Sequence, residues 1–505
     1  MVRGAVRSGM LSSYMKSLEL RVSPCNTADQ TCRMIRRLDS VIGEPRDKYF
    51  YTLHFIKGED KTDYGSSMLQ CRHAVKRKKV EKQARALIAL RERYPECAMR
   101  ILGIDAASNE IGCRPEVFAV SFRRLKSHVR AGEDSRSTRR VPQLRATYHV
   151  GEDFLDPADG LRAIDEAVNF LNLDCGDRLG HALALGLDVE EWYRSKNYRI
   201  LIPQQDYLDN LAWMYNRLIE LNISGLEVLM GHLEKKYEEY FDRVYARHMD
   251  YGIIDEILKE TRRQYRHAGI MNAFHNDRYR FDIFQYYKAW KLRGDDPELY
   301  ERGYYLADDY GPAEMQCRLN LRFPKDYNIR YRPEIFLLNY YYQFDREVRE
   351  EGNKRVEIKI HPSYIRAVQM LQKEMQKLVG RNGIAIETNP SSNFLIGTFK
   401  DYAKHPIFTF YNKGLTGDPS LLAECAQLSV SVNTDDQGVF STSLENEYAL
   451  LAVALENVKD ADGKPAYAKS MVYDWIDAVR QMGNDQSFRP EGYRELLGGE
   501  ETADL

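Results

Sequence analysis

Two rhythms of apolar and polar positions alternate along the chain. Short runs rich in β-branched and aromatic residues recur at 18–24 (LELRVSP), 49–56 (YFYTLHFI), 101–105 (ILGID), 146–150 (ATYHV), 177–183, 384–387 and 428–434, and each predicts a strand. Between them the apolar residues fall at helical spacing. Residues 157–173 place Leu161, Ile164, Val168 and Leu171 on one side, with Pro157 suited to a first turn. Residues 362–379 place Ile365, Val368, Leu371, Met375 and Leu378 likewise, before Gly380 and Gly383. Strands alternating with helices over several hundred residues imply parallel βαβ units. In a closed barrel of such units, chemistry gathers at the C-terminal ends of the strands.

The texture changes across 191–380. Long helical patterns at 206–222 and 227–250 dominate, and 21 of the 34 tyrosines fall between Tyr193 and Tyr342, mixed with arginines. Tyrosine with arginine suits a protein interface, and it equally suits helices packed on one another. The expected organisation is therefore a barrel in two parts, 1–190 and 381–505, interrupted by a mainly helical insertion over 191–380. Residues 130–142 (RAGEDSRSTRRVP) read as a charged, mobile loop. The basic stretch 72–93, with Val75, Val80, Leu87 and Ile88 as its apolar side, reads as a solvated helix face that leaves a nucleic-acid contact open.

Composition narrows the partners. With 43% hydrophobic and 29% charged residues the 505-residue chain is of globular type, and 73 basic against 75 acidic residues leave no global field toward nucleic acid or membrane. The eight cysteines include no CxxC pair, so they read as ordinary thiols of a reducing compartment. No run of 18 apolar residues and no secretory leader is legible, which makes the cytoplasm the expected location.

Candidate chemistry stands at the strand ends. The fourth run delivers His149, Gly151 permits a turn, and Glu152 follows at once: a pair able to hold a metal and move a proton. His181, Glu387 and the adjacent Asp435 and Asp436 end three further runs. Each alone reads equally well as a satisfied core histidine or a helix cap. Together, in order, His149-x-Gly-Glu152, Arg178-Leu-Gly-His181, Glu387-Thr-Asn-Pro-Ser-Ser-Asn393 and Asn433-Thr-Asp435-Asp436 resemble the motifs of the adenosine deaminase family over roughly residues 18–190 and 380–460.

That resemblance implies a TIM-like (β/α)8 barrel and a Zn2+ cofactor. It makes His149 and Asp435 metal ligands, Glu152 the proton shuttle to the purine ring, and His181 the residue that orients the attacking water. Asp436 would meet the purine N7 edge, and Asp105 and Ser108 would lie against the substrate. A metal at such a point lowers the pKa of bound water from 15.7 to roughly 7. The implied reaction converts adenine to hypoxanthine with release of ammonia, on adenosine, an adenine nucleotide or RNA. The cytidine-deaminase type of site also needs P-C-x-x-C, and Pro24-Cys25 has no second cysteine at that spacing.

Three departures qualify the resemblance. The family's first strand carries a His-x-His pair, and none of the 11 histidines here forms one. Residues 18–23 instead resemble the family's second strand, so the barrel is expected to be incomplete at its N-terminus, with further residues upstream in the natural protein. Ser108 stands where the family has a glycine, and Gln437 where it has a proline. The size of the insertion resembles the deaminase subunits of RADAR antiphage systems, which implies a homo-oligomer working beside an ATPase partner. The alternatives are a housekeeping adenosine or AMP deaminase and a metal-deficient scaffold or nucleic-acid-binding shell.

Overall fold

The computed structural model describes residues 15–60, 70–132, 140–249, 259, 281–301, 310–322, 329–397 and 399–498. Most of the charged loop expected over 130–142 lies outside them.

The predicted runs form strands β1 (Leu18–Val22), β2 (Tyr49–Ile56), β3 (Ile101–Ala107), β4 (Arg145–Val150) and β5 (Arg178–His181). Two strands that sequence reading did not single out, β6 (Arg199–Pro203) and β7 (Arg355–Lys359), pair antiparallel with each other. The last two runs are β8 (Ala385–Thr388) and β9 (Val430–Val432). Seven strands make one sheet in the order β1-β2-β3-β4-β5-β8-β9, with every pairing parallel.

The sheet is curled. β1 and β8 lie five strand steps apart, roughly 24 Å along a flat sheet at about 4.8 Å per step. Yet the Arg21 guanidinium of β1 meets the Glu387 carboxylate of β8 at 2.6 Å. Only a rolled sheet allows that contact, and seven parallel strands so rolled fit an incomplete TIM-like α/β barrel. Segment 486–489 touches the beginnings of both outermost strands: Gln486 reaches Ser429 before β9, and Arg489 donates to the Lys16 carbonyl before β1.

Helices cover the outer face. α1 (Ala28–Ile42) is capped by Thr27, which accepts from the Gln30 amide. α2 (Ala74–Arg93) buries Val80, Ala84, Leu87 and Leu90, whereas Val75, expected on its apolar side, is exposed. α3 (Pro157–Phe170) starts at Asp156, whose side chain accepts from the Ala158 amide, with Pro157 in the first turn where no amide donor is needed. α4 (Gln204–Glu220), α5 (Glu227–Phe241), α6 (Ile283–Lys291) and α7 (Pro333–Phe344) belong to the long stretch between β5 and β8. Many of its tyrosines, among them Tyr207, Tyr237, Tyr245, Tyr286 and Tyr342, are buried inside the chain. Their rings pack on one another: Tyr207 meets Tyr240 at 4.9 Å between centroids, and Tyr237, Tyr245 and Phe241 cluster around Tyr286. Internal packing therefore accounts for these rings. α8 (Pro362–Arg381) follows β7 and buries Ile365, Val368, Leu371 and Met375, as its spacing predicts. Among the described residues no helix is long and apolar enough to cross a membrane.

Candidate active site

A chain of alternating charge runs through the curled sheet and ends on His149. Glu19 of β1 pairs with Arg178 of β5 at 2.7 Å, and Arg178 with Glu387 of β8 at 2.9 Å. Glu387 pairs with Arg21 at 2.6 Å, Arg21 with Asp105 of β3 at 3.2 Å, and Asp105 with His149 Nδ1 at 3.0 Å. His54 of β2 also reaches Asp105, at 3.0 Å. Strand periodicity explains the gathering: Glu19 and Arg21 are two apart and share a face, as do Gly103 and Asp105. Burial opposes the charge on Glu387, but Arg21 and Arg178 outweigh it and hold its pKa at about 2. Burial likewise opposes the charge on Asp105, and His149 and Arg21 hold it well below the usual carboxylate range.

The base of this column is apolar. Phe488 lies against Gly103, where an added Cβ would stand 2.6 Å from its ring, and the Arg178 guanidinium sits 3.6 Å from the ring centroid. A second close approach seats His149: a Cβ on Gly180 would fall 2.9 Å from the imidazole Cγ, so the neighbouring strand must be bare there.

Above His149, turns at the strand ends bring the remaining groups together. Gly151 has φ 73°, and Glu110 accepts from the Gly151 amide at 2.9 Å and from the Glu152 amide at 3.3 Å, pinning the turn that carries Glu152. Glu152 lies 2.9 Å from His181 Nδ1, and the His149 and His181 ring centroids are 5.0 Å apart. Although burial opposes both charges, Glu152 raises the pKa of His181 and His181 lowers that of Glu152. Asn393 lies 2.7 Å from His181 Nδ1, and its own oxygen is 3.1 Å from His405. His405 is buried, and burial together with the neighbouring His181 pushes its pKa down to about 3, so it packs as a neutral ring. Ser108, His181 and Asp435 all have left-handed backbone, with φ of 84°, 61° and 53°. Non-glycine residues held there cluster at functional sites.

His149, His181 and Asp435 offer ligand atoms that all lie within 4.8 Å of one another. Two imidazoles and a carboxylate fit a divalent transition metal, and zinc takes this donor set. Asp105 holds His149 Nδ1 as a carboxylate orients a ligating imidazole, and the other nitrogen, Nε2, lies 3.4 Å from the Arg21 guanidinium. The second thiol and carboxylate cluster, Cys32, Glu96 and Cys97, differs, because burial pushes the Cys97 thiol up and Glu96 is paired with Arg36 at 2.7 Å.

Of the residues singled out in sequence, the structure thus brings together His149, Glu152, His181 and Asp435. Asp105 lies beneath His149, fully buried, in the place of an orienting group. Asp436 is exposed beside Asp435, and Ser108 is exposed at the end of β3. Sequence reading missed Arg21, His54, Glu110, His405 and Lys57, whose buried ammonium donates to the His149 carbonyl and stands 4.1 Å from the Tyr148 ring centroid. A polar residue at alternate positions of an apolar strand is the signal that marks Arg21 and His54.

No protein-family model matches the chain. It is 34% identical over 88 residues to an adenosine deaminase of Plasmodium gallinaceum, a match that covers 17% of this chain and 21% of that protein. It is 32% identical over 142 residues to an adenine deaminase of Rhizobium leguminosarum bv. trifolii, covering 27% and 35%, and 28% identical over 133 residues to one of Rhizobium etli, covering 26% and 32%. Parts of the chain are therefore similar to deaminases of adenosine and adenine, and it spans about a fifth to a third of the length of these relatives.

Proposed function

We propose that the chain is a hydrolytic deaminase of the adenine ring, replacing the C6 amino group by oxygen with consumption of one water and release of one ammonia. One observation carries this reading: His149, Glu152, His181 and Asp435, at or just past the ends of β4, β5 and the sequence-distant β9, converge at the C-terminal ends of one rolled parallel sheet. The partial similarity to adenosine and adenine deaminases supports it.

In this reading His149 and Asp435, two of the three donors gathered there, would hold a zinc ion, which when bound would make water a nucleophile near neutral pH. Against the cost of burial, His181 holds the Glu152 carboxyl below its ordinary pKa, which suits a base that takes the proton from water and passes it to ring N1 as the ring loses aromaticity. His181 Nδ1 faces both Glu152 and the Asn393 amide, and its other nitrogen, 3.8 Å from Asp435, orients the water. Asn393 and His405 position that imidazole from behind. Asp436 and Ser108, exposed just past the C-terminal ends of β9 and β3, face the base.

The proposal extends to an oligomeric antiphage deaminase that works beside an ATPase on the length of the stretch between β5 and β8 alone. The experiment is direct. The full-length protein, loaded with zinc, is incubated with adenosine, AMP and ATP, and the hypoxanthine-containing product and ammonia are measured. Equimolar product and ammonia are expected, and their absence from every substrate contradicts the proposal.

A further inference from the structure

A cavity of about 500 Å³ adjoins the proton-transfer pair, within the range of roughly 300–1,000 Å³ typical of small-molecule sites. Glu152 and Asp153 belong to its lining. So do three cations from outside the rolled sheet: Lys196, Arg199 of β6 and Arg355 of β7. Trp192 and Phe399 give it aromatic wall. The cavity therefore joins the group that would act on the base to a basic region built by a different element.

The two-stranded ribbon carries two of the cations at its opposite ends, four residues or roughly 13 Å apart, and Lys196 precedes it in the chain. In its register Arg199 faces Lys359 and Pro203 faces Arg355. Ile200 and Ile202 are buried, so the alternate residues are turned outward, Arg199, Leu201, Arg355 and Lys359 among them. Arg199 shares its charge with Glu357. Among the described residues Lys196 and Arg355 have no ion-pair partner, and Lys196 has only the Trp192 ring, 5.9 Å from its ammonium. Carboxylates line the cavity only at Glu152 and Asp153. Unpaired cations beside an aromatic wall are the chemistry that recognises phosphate attached to a base and sugar, and arginine forks match phosphate oxygens in pairs.

We infer that Lys196, Arg199 and Arg355 form a phosphate subsite and that the substrate is an adenine nucleotide rather than the free nucleoside. The inference rests on the deaminase reading for the orientation of the ligand, base toward Glu152 and phosphates toward the ribbon. The subsite itself stands on the cavity.

The test measures equilibrium binding of adenosine, AMP and ATP to the full chain carrying Glu152→Gln, so that the substrate survives, alongside initial rates of the unsubstituted protein. AMP and ATP are expected to bind at least tenfold more tightly than adenosine, with an advantage that falls as salt is raised. Lys196→Glu and Arg355→Glu, both at exposed positions, are expected to erase that advantage and leave adenosine binding unchanged. Equal affinity for nucleoside and nucleotides, or nucleotide binding indifferent to both substitutions, overturns the inference. Turnover of adenosine without preference for phosphate overturns it while the deaminase reading stands. Phosphate-dependent binding with no deamination overturns the deaminase reading and leaves the subsite.

Discussion

Arg21 and Glu387, on strands five steps apart in the sheet, meet at 2.6 Å and close a charge chain whose last member is His149. The pair makes acid stability a readout of the barrel interior. The folded pKa of Glu387, about 2, lies below its ordinary value of 4.5. Its contribution is therefore present above pH 4.5 and lost as pH falls toward 2, and amounts to something on the order of 3 kcal/mol. In Arg21→Gln that contribution shrinks, so urea midpoints followed between pH 7 and pH 3 are expected to be lower throughout and to begin their acid decline at higher pH. An unchanged acid limb would show that the pair does not govern it.

The proton-shuttle role of Glu152 separates chemistry from architecture. Glu152→Gln keeps the shape beside His181 and removes the carboxylate. Turnover is expected to fall about 10²–10⁴-fold, with zinc content and thermal unfolding near those of the parent. Near-normal turnover would remove Glu152 from the mechanism.

His149 and His181 stand in the same donor group with different assigned work. Metal analysis of the purified variants tells them apart. His149→Ala and Asp435→Ala are expected to lose zinc, whereas His181→Ala keeps it and loses turnover. Loss of zinc from His181→Ala would make that imidazole a ligand.

Gly180 tests how tightly His149 is seated. A methyl group there would lie 2.9 Å from the imidazole. Gly180→Ala is expected to cost about 1–3 kcal/mol in chemical denaturation and to weaken zinc affinity by about tenfold or more, because the ring must turn away from Asp105.

Ser108 gives a test with the opposite sign. Its φ of 84° is one that glycine adopts freely. Ser108→Gly is expected to stabilise the fold by roughly 1 kcal/mol in urea denaturation.

Much of this architecture is legible in the sequence, for a physical reason. The seven runs that form the parallel sheet are short, apolar and bounded by turns, and α3 and α8 declare themselves through Pro157 and Pro362 in their first turns. The catalytic candidates stand out because they end such runs. β6 and β7 escape notice because each is only five residues long, lies within helical surroundings, and pairs with a partner about 150 residues away, a relation that local periodicity cannot register. Glu110 and His405 escape for a related reason. One is buried by a turn it caps, the other by the Asn393 side chain it supports, and neither contact is local in sequence.

Whether the convergence of His149, Glu152, His181 and Asp435 deaminates adenine is read most directly from product analysis on the zinc-loaded full-length protein with adenosine, AMP and ATP, run beside Glu152→Gln. One ammonia for each hypoxanthine-containing product is expected from the parent and essentially none from the variant. No product from the zinc-loaded parent on any of the three, or equal product from both proteins, would contradict the deaminase reading.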